Sequence, residues 1–352
     1  MAVDETKLNE FIGKAVSEWG AAYGVLLTFL GDRLGLFKAM AGAGELTPEE
    51  LAKKSGTHPR MIKEWLAAQA AGGFVIYNPA TGTYILPDEY ALALTNENSP
   101  AYIAGEYQVI MGLFKDEEKI IEAFRTGKGL GWGDHHHYLF EGTERLFKPG
   151  YVANLTTIWI PALKGVEEKL RRGGAKVADV GCGHGVSTIL MAKAYPNSKI
   201  IGFDYHSPSI ERARMETEKE GLKNITFEVA RSTDYPGDDY DLVAFFDCFH
   251  DMGNPSAAAK HVLQTLKKKD GTWMLVEPFA NDKLEDNFNP IGRAFYGGST
   301  VACVPASLNE NGPAVGAQAG EERIREIVTG AGFSEFRRAA QTPFNLVFEA
   351  RL

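Results

Sequence analysis

The chain has little cysteine and lacks long apolar runs. Its 352 residues include only three cysteines, Cys182, Cys248 and Cys303. These are too few and too scattered for a disulfide framework, which favours a reducing compartment. No stretch approaches the ~18 uninterrupted apolar residues of a membrane-spanning helix, and no charged segment followed by an apolar one opens the chain. We therefore expect a cytoplasmic protein that has no membrane partner.

An excess of positive charge is also missing. Lysine and arginine number 37 against 46 aspartates and glutamates, which gives a net charge of −9. This balance argues against a nucleic-acid-binding surface over the whole protein. The hydrophobic fraction of 44% and the charged fraction of 24% are typical of a globular protein with a sizeable core. At ~100–200 residues per domain, the length suggests two domains.

Residues 1–44 have the pattern of a helical segment with a broad apolar stripe. A helix of this kind needs burial on more than one side, which suits a subunit interface and hence a homodimer. An intramolecular core helix is the alternative. The stripe consists of Ala15, Val16, Trp19, Ala22, Tyr23, Leu26, Leu27, Leu30, Leu34 and Phe37.

The next segment predicts a winged helix. One helix begins at Thr47-Pro48, a second runs from His58-Pro59 to about Gly72, and a hairpin occupies 74–86. In a winged helix the second helix can enter a DNA groove. Here that helix exposes only Arg60 and Lys63, which Glu64 balances. A role in dimerisation or as a substrate lid is therefore favoured over DNA binding.

Residues 96–165 predict an aromatic-rich helical bridge to the substrate pocket. It contains His135, His136 and His137 in a row after Asp134. Adjacent side chains diverge on a helix or strand, so one metal site built from all three is awkward. We predict no metal, and place the tract among polar residues near the substrate mouth. The aromatic residues of the bridge are Trp132, Tyr138, Phe140, Phe147, Tyr151 and Trp159.

From about residue 166 strands and helices alternate, which predicts a parallel sheet. The fold class is therefore α/β, a Rossmann-like doubly wound sheet with an antiparallel hairpin at its C-terminal edge. A mostly helical winged-helix domain precedes it. The domains are 1–95, 96–165 and 166–352. The predicted strands are 176–180, 199–203, 225–229, 241–246, 272–276, 334–340 and 344–350.

The first strand ends in an acidic glycine-rich turn. Asp179 is followed by Gly181, Gly183 and Gly185, and the next strand ends in Asp204. A dinucleotide fingerprint has a later third glycine and a pyrophosphate at a helix N-terminus. The carboxylate of Asp179 would repel a pyrophosphate but suits an ammonium group, and Asp204 can bind ribose hydroxyls.

This turn resembles motif I of the class I S-adenosylmethionine-dependent methyltransferases. The resemblance implies S-adenosyl-L-methionine as cofactor, with the turn around its methionine part and the second-strand acid on its ribose. Cys182 fills the turn as a small apolar residue rather than as a reactive thiol. The implied cofactor site consists of Asp179, Gly181, Cys182, Gly183, Gly185, Asp204, Tyr205, Arg231, Ser232, Thr233, Asp247 and Cys248.

One position departs from that pattern. The third strand usually ends in an acid near the adenine amino group, whereas this chain has Arg231 there. Ser232, Thr233 or stacking by Arg231 are the alternatives for holding adenine. Asp234 lies too far along the chain to replace the acid with confidence.

The segment Phe249-His250-Asp251-Met252 follows the fourth strand of the sheet. It resembles the His-Asp segment of plant-type small-molecule O-methyltransferases, and residues 30–37 and 142–147 resemble other parts of that family. By this resemblance His250 is the general base, followed by Asp251 and flanked by Glu277 and Glu322. The acceptor is a small, possibly aromatic or apolar, molecule, and a hydroxyl is favoured over a thiol or amine.

Other functions remain open at this point. The insertion 278–319 is either a substrate lid or a disordered surface loop. An NAD-dependent oxidoreductase is the alternative within enzymes. A regulator that senses S-adenosylmethionine and binds DNA through the wing is the alternative outside them. A methyltransferase-like scaffold without turnover is the third.

Overall fold

The computed structural model describes residues 3–352 and divides the chain into two compact units. The first contains the residues up to Phe114 together with His137–Pro149, and the second contains Lys115–His136 and Gly150–Leu352. The bridge expected over 96–165 is thus shared between the two units. Residues 1 and 2 of the helical segment expected over 1–44 lie outside the described residues. No helix within residues 3–352 has the length and apolar character needed to cross a membrane.

The first unit begins with a long helix and contains the winged helix that the sequence predicts. Thr47 caps the third helix, since its hydroxyl accepts a hydrogen bond from the Glu50 amide and the Glu50 carboxylate accepts one from the Thr47 amide. The elements are α1 (Glu5–Arg33), α2 (Leu36–Met40), α3 (Pro48–Ser55), α4 (Pro59–Ala71), β1 (Ile76–Asn78), β2 (Thr83–Ile85), α5 (Asp88–Thr95) and α6 (Ala104–Lys115).

The C-terminal end of α1 packs onto this core, whereas much of the rest of the helix is exposed. A Cβ atom on Gly31 would lie 2.6 Å from the rings of both Phe37 and Trp65, so glycine is needed there. Earlier in α1, Phe11, Trp19 and Tyr23 are 65–70% exposed. The long apolar stripe is therefore largely uncovered in a single chain.

The two segments that carry the family resemblance in this unit meet in an ion pair. Arg145 donates to the Asp32 carboxylate at 2.8 Å, and it also contacts Glu97 and Gln108. Asp32 is nearly buried, and Arg145 is mostly buried. These contacts hold the first part of helix α8 (Tyr138–Asn154) against the end of α1.

The second unit is a seven-stranded sheet in the order β5-β4-β3-β6-β7-β9-β8. The first five strands in that order are parallel, and β9 and β8 pair antiparallel at one edge, as predicted. The strands are β3 (Lys176–Val180), β4 (Lys199–Asp204), β5 (Ile225–Val229), β6 (Leu242–Phe246), β7 (Thr272–Pro278), β8 (Glu335–Gln341) and β9 (Asn345–Arg351).

Helices flank the sheet, and the long insertion over 278–319 is itself largely helical. The insertion forms two helices joined by a π-helical turn at Ser299–Cys303, rather than the disordered loop that was the alternative. The remaining helices are α7 (Glu117–Thr126), α8 (Tyr138–Asn154), α9 (Val166–Arg172), α10 (Val186–Ala194), α11 (Ser207–Glu220), α12 (Pro255–Thr265), α13 (Pro290–Gly298), α14 (Val304–Asn309) and α15 (Gly320–Gly330).

The strand order reverses between β3 and β6. From β3 the chain continues outward to β4 and β5, and β6 then pairs on the opposite side of β3. In doubly wound sheets a ligand cleft forms at the carboxyl ends of the strands at such a switch point. The fold therefore brings the glycine turn after β3 and the His250 segment after β6 to one cleft.

Candidate active site

The glycine turn after β3 needs its glycines for two physical reasons. Gly181, Gly183 and Gly185 have φ angles of 77°, 52° and 81°, which side chains disfavour. A Cβ atom on Gly181 would also lie 2.7 Å from the Cys248 sulfur, and one on Gly185 would lie 2.6 Å from the Phe227 ring. The turn is thus packed closely against its neighbours.

Asp204 joins the end of β4 to the glycine turn. Its Oδ2 accepts a hydrogen bond from the Gly183 amide at 2.9 Å, and its Oδ1 accepts one from the His206 amide at 2.8 Å. Burial raises the pKa of Asp204. A carboxylate has about four lone-pair sites, so sites remain for ligand hydroxyl groups.

Asp179 is enclosed beneath the turn. Ser187 and Thr188 both donate to its Oδ2 at 2.6 Å, and burial raises its pKa to about 6. Among residues 3–352 no group hydrogen-bonds its Oδ1. The residue is 0% exposed, so in this conformation it cannot contact an ammonium group in the cleft. The direct contact expected from the sequence is corrected accordingly: Asp179 ties the turn to helix α10.

Asp247 lies directly after β6, with a left-handed backbone at φ 51°. The Tyr151 hydroxyl donates to its Oδ2 at 3.0 Å, and the side-chain amide of Asn345 donates to its Oδ1 at 2.8 Å. Burial, and then the neighbouring Glu277 carboxylate, raise its pKa to about 7. Tyr151 was expected near the acceptor as an aromatic residue of the bridge, but its contact with Asp247 was not, and neither was Asn345, because both reach Asp247 across nearly a hundred residues of chain.

His250 and Glu277 form a buried pair. Nδ1 of His250 lies 2.7 Å from Oε2 of Glu277, and Oε1 of Glu277 accepts a hydrogen bond from the Phe249 amide at 3.1 Å. Each of the two paired residues is only 3% exposed. Burial alone would lower the pKa of His250, but the Glu277 carboxylate and the Cys303 side chain beside the imidazole raise it well above its usual value.

Glu322 does not lie where the resemblance placed it. It is exposed on α15, where its backbone amide donates to Asp282 at 2.8 Å. Because α15 buries the face that carries Ile324, Ile327 and Val328, the helix turns Glu322 outward. The flanking role expected for Glu322 is corrected: Cys303, from the insertion, is the second neighbour of the imidazole.

Asp251 follows His250 and is half-buried. Burial raises its pKa to about 7, with the carboxylates of Glu277 and Asp204 acting in the same direction and His250 opposing them. Cys248, before them, hydrogen-bonds the Val180 carbonyl at 3.4 Å. The segment after β6 therefore lies directly against the end of β3, as the sequence predicts.

The insertion packs on the His250 segment. The Gly316 amide donates to the His250 carbonyl at 3.0 Å, and the Ser307 hydroxyl donates to the Met252 carbonyl at 2.9 Å. With Cys303 beside the imidazole, residues 299–316 thus cover one side of the base.

The end of β5 holds the residues expected near adenine. Arg231 lies 5.4 Å from the Tyr205 ring centroid and forms an ion pair with Glu310 of the insertion at 2.8 Å. Ser232 and Thr233 follow and are half-buried. Glu310 was not expected, and it brings a carboxylate to the end of the strand that lacks one.

The histidine tract is split. His135 Nδ1 lies 3.0 Å from Asp116, within the second unit, whereas His137 Nδ1 lies 3.0 Å from Glu141, within the first. Over the part of the chain that the structure describes, no three histidine, cysteine, aspartate or glutamate side chains form a group able to hold a metal ion.

Two family models match the chain, each over one part of it. The methyltransferase domain model matches residues 171–319, and the Rv2258c-like winged HTH domain model matches residues 21–96. Among curated relatives, the (S)-coclaurine N-methyltransferase of Thalictrum flavum subsp. glaucum is 26% identical over 121 residues. That match covers 34% of this chain and 33% of the relative, so the chain spans about a third of its length.

Solved structures match over the whole length. An O-methyltransferase family protein from Burkholderia thailandensis is 16% identical with a TM-score of 0.70, covering 100% of this chain and 99% of the other. Human N-acetylserotonin methyltransferase in complex with S-adenosylmethionine is 17% identical with a TM-score of 0.67, covering 100% and 99%. The chain therefore contains a methyltransferase domain and, before it, a winged helix-turn-helix domain, and it shares its fold with these O-methyltransferase structures.

Proposed function

We propose that this protein transfers a methyl group from S-adenosyl-L-methionine to a hydroxyl of a small aromatic or apolar molecule, with His250 as general base. The observation that carries the proposal is the buried His250–Glu277 pair at the same cleft as a glycine turn that Asp204 anchors.

The cleft offers contacts to the ribose and to the adenine of the cofactor. Asp204 keeps free lone pairs for the two ribose hydroxyls, while its bond to Gly183 fixes the turn. Arg231, which follows β5, lies over the ring of Tyr205, which follows β4, and this pair offers a face to adenine. When bound, the cofactor supplies a methyl group on a positively charged sulfur.

His250 is placed to accept the hydroxyl proton. Because Nδ1 faces Glu277, Nε2 is the other ring nitrogen that can act as a base. The Cys303 side chain hydrogen-bonds the imidazole in this conformation, so the acceptor has to take its place. Glu277 also favours the protonated imidazole that forms as the acceptor oxygen attacks. The protein thus holds the proton on His250 while the oxygen–carbon bond forms and the carbon–sulfur bond breaks.

The insertion supports a small acceptor. Residues 299–316 pack over the His250 segment, so an acceptor that reaches the base has to be compact. On the inner side, the ring of Tyr151 packs against Phe246 with centroids 5.4 Å apart. Aromatic walls favour a planar or apolar acceptor. The similarity in fold to a methyltransferase of N-acetylserotonin agrees with this acceptor class.

A homodimer through α1 is part of the proposal. Leu8, Phe11, Val16, Trp19 and Tyr23 expose 45–70% of their surface on this helix. A stripe of this length is unfavourable in water, and a second copy of the same helix is self-complementary to it. On α4, in contrast, Arg60 forms an ion pair with Glu64 at 2.7 Å, which leaves little net charge for DNA.

The activity is tested by methyl transfer. The protein is incubated with S-adenosylmethionine carrying a tritiated methyl group and a panel of phenols, thiols and amines, and label in the extracted acceptor is counted. We expect labelled phenols with wild-type protein and a large loss with His250→Ala. Label confined to amines would contradict the proposed hydroxyl acceptor. Equal label with wild type and His250→Ala would contradict the proposed base.

A further inference from the structure

Two carboxylates lie at the carboxyl ends of the neighbouring strands β3 and β6. Asp179 is the last residue but one of β3, Asp247 directly follows β6, and the two differ in how much solvent reaches them. Asp179 is 0% exposed and accepts hydrogen bonds from Ser187 and Thr188. Asp247, in contrast, is half-buried. Of the two carboxylates, Asp247 is therefore the one that a ligand can reach in this conformation.

Asp247 also lies next to the glycine turn. The following residue, Cys248, approaches so closely that a Cβ atom on Gly181 would lie 2.7 Å from its sulfur. Its thiol hydrogen-bonds the carbonyl of Val180, the last residue of β3. Asp247 is thus the chain neighbour of the residue that contacts the turn, which surrounds the methionine part in the proposed function.

The surroundings hold Asp247 in one orientation. A left-handed backbone is unfavourable for a residue with a side chain, and it persists where neighbouring contacts fix it. Here the amide of Asp247 donates to the Val276 carbonyl at 2.7 Å, while Tyr151 and Asn345 donate to its two carboxylate oxygens. These two donors occupy one lone pair on each oxygen, so acceptor sites remain on both.

We propose that Asp247 binds the α-ammonium group of the cofactor's methionine part, with Tyr151 and Asn345 as the positioning residues. The proposal rests on the proposed function, because it needs S-adenosylmethionine in the cleft. A fixed carboxylate with free lone pairs, adjacent to the turn, matches a primary ammonium in both charge and hydrogen bonding. The enclosed Asp179 then acts on the turn and not on the ligand.

The first test uses wild-type protein and two ligands. Isothermal titration compares S-adenosylhomocysteine with its des-amino analogue, which keeps the carboxylate and lacks the ammonium. We expect the analogue to bind ~10–100-fold more weakly, the range for a hydrogen bond between charged groups. Equal affinities would overturn the proposal without any variant, so the test does not depend on the folding of a mutant.

The second test assigns the difference to Asp247. In Asp247→Asn the amide can still accept from Asn345 and donate to the Tyr151 hydroxyl, so the network survives. We expect S-adenosylhomocysteine to lose ~10–100-fold in affinity, while the des-amino analogue binds as it does to wild type. Glu326→Gln, which alters an exposed ion pair with Arg323, serves as the matched control.

The outcomes separate this proposal from the proposed function. If wild-type protein binds neither ligand, the cofactor assignment itself fails. If wild type prefers S-adenosylhomocysteine and Asp247→Asn keeps the same preference, the cofactor assignment stands and the role of Asp247 is overturned. An unchanged preference together with a raised KM for the acceptor would place Asp247 on the acceptor instead, which also overturns the proposal.

Discussion

Oε1 and Oε2 of Glu277 hold two consecutive residues after β6, the amide of Phe249 and the imidazole of His250. One carboxylate therefore fixes both the backbone and the side chain of the proposed base. This relationship lets the contributions of charge and orientation be separated by substitution.

Replacing the imidazole removes the base and leaves the cofactor site in place. For His250→Ala we expect kcat to fall by roughly 10²–10⁴-fold, the usual contribution of a general base. The Kd for S-adenosylhomocysteine, measured by calorimetry, should stay within a factor of about two, since Asp204 and the glycine turn are untouched. Unchanged kcat would mean that the enzyme acts by positioning alone.

Glu277→Gln tests the charge on the base. Glu277 raises the pKa of His250, and the neutral imidazole is the form that accepts a proton. Activity should therefore rise with pH as His250 loses its proton. Glutamine can keep an acceptor for Nδ1 but removes the charge and gives up the contact with the Phe249 amide, so the rise should move to lower pH in the variant. The measurement is kcat/KM for the acceptor between about pH 5 and 10.

A rise at the same pH in wild type and Glu277→Gln would contradict this account. Glu322→Gln is the matched control, because Glu322 is an exposed carboxylate on α15. We expect its pH profile to coincide with that of wild type.

Cofactor affinity should also depend on pH. The pKa of Asp247 is raised to about 7 by burial and by Glu277, with Tyr151 and His250 as its other titratable neighbours. Its charged form binds an ammonium group, so the affinity for S-adenosylhomocysteine should increase as pH rises from about 5 to 8. In Asp247→Asn this increase should flatten. A calorimetric titration series at constant ionic strength measures both, and a parallel increase in the variant would refute the assignment.

The ion pair between Asp32 and Arg145 should stabilise the first unit. Asp32→Asn removes the more buried of the two carboxylates that pair with the largely buried guanidinium, and we expect a loss of about 1.5–3 kcal/mol in the free energy of unfolding. Glu326→Gln in the exposed Arg323 pair should change it by less than about 1 kcal/mol. Urea denaturation followed by circular dichroism compares the two; equal losses would mean that the buried pair contributes no more than a surface one.

The apolar stripe on α1 should control the oligomeric state. In sedimentation equilibrium, wild-type protein should have twice the 38.5 kDa mass of the chain. Trp19→Glu with Tyr23→Glu places two charges on the stripe and should yield monomers. Phe288→Glu, at a residue 72% exposed in the insertion, should leave the dimer intact. A monomeric wild type would contradict the proposed interface.

Local patterns predicted much of the fold. Glycine spacing, helix caps and apolar runs are encoded by neighbouring residues, so the turn at Gly181–Gly185 and all seven strands of the sheet were found within a residue or two. The pairing of Glu277 with His250 was expected from the family resemblance, and the structure places the two in contact.

Contacts distant in sequence were not predictable in this way. Tyr151 and Asn345 reach Asp247 from 96 and 98 residues away, and no periodicity records such a meeting. The outward direction of Glu322 depends on the rotational phase of α15, which is set by packing of its apolar face. Likewise, the motif places Asp179 beside the turn but does not tell whether its carboxylate faces the cleft or the core.

The central claim is that the cleft binds S-adenosylmethionine rather than a nicotinamide dinucleotide. Calorimetric titration of the same protein with S-adenosylhomocysteine and with NAD tests it most directly. We predict saturable binding of S-adenosylhomocysteine that weakens strongly in Asp204→Ala, and no heat of binding with NAD. Saturable binding of NAD alone would contradict the account.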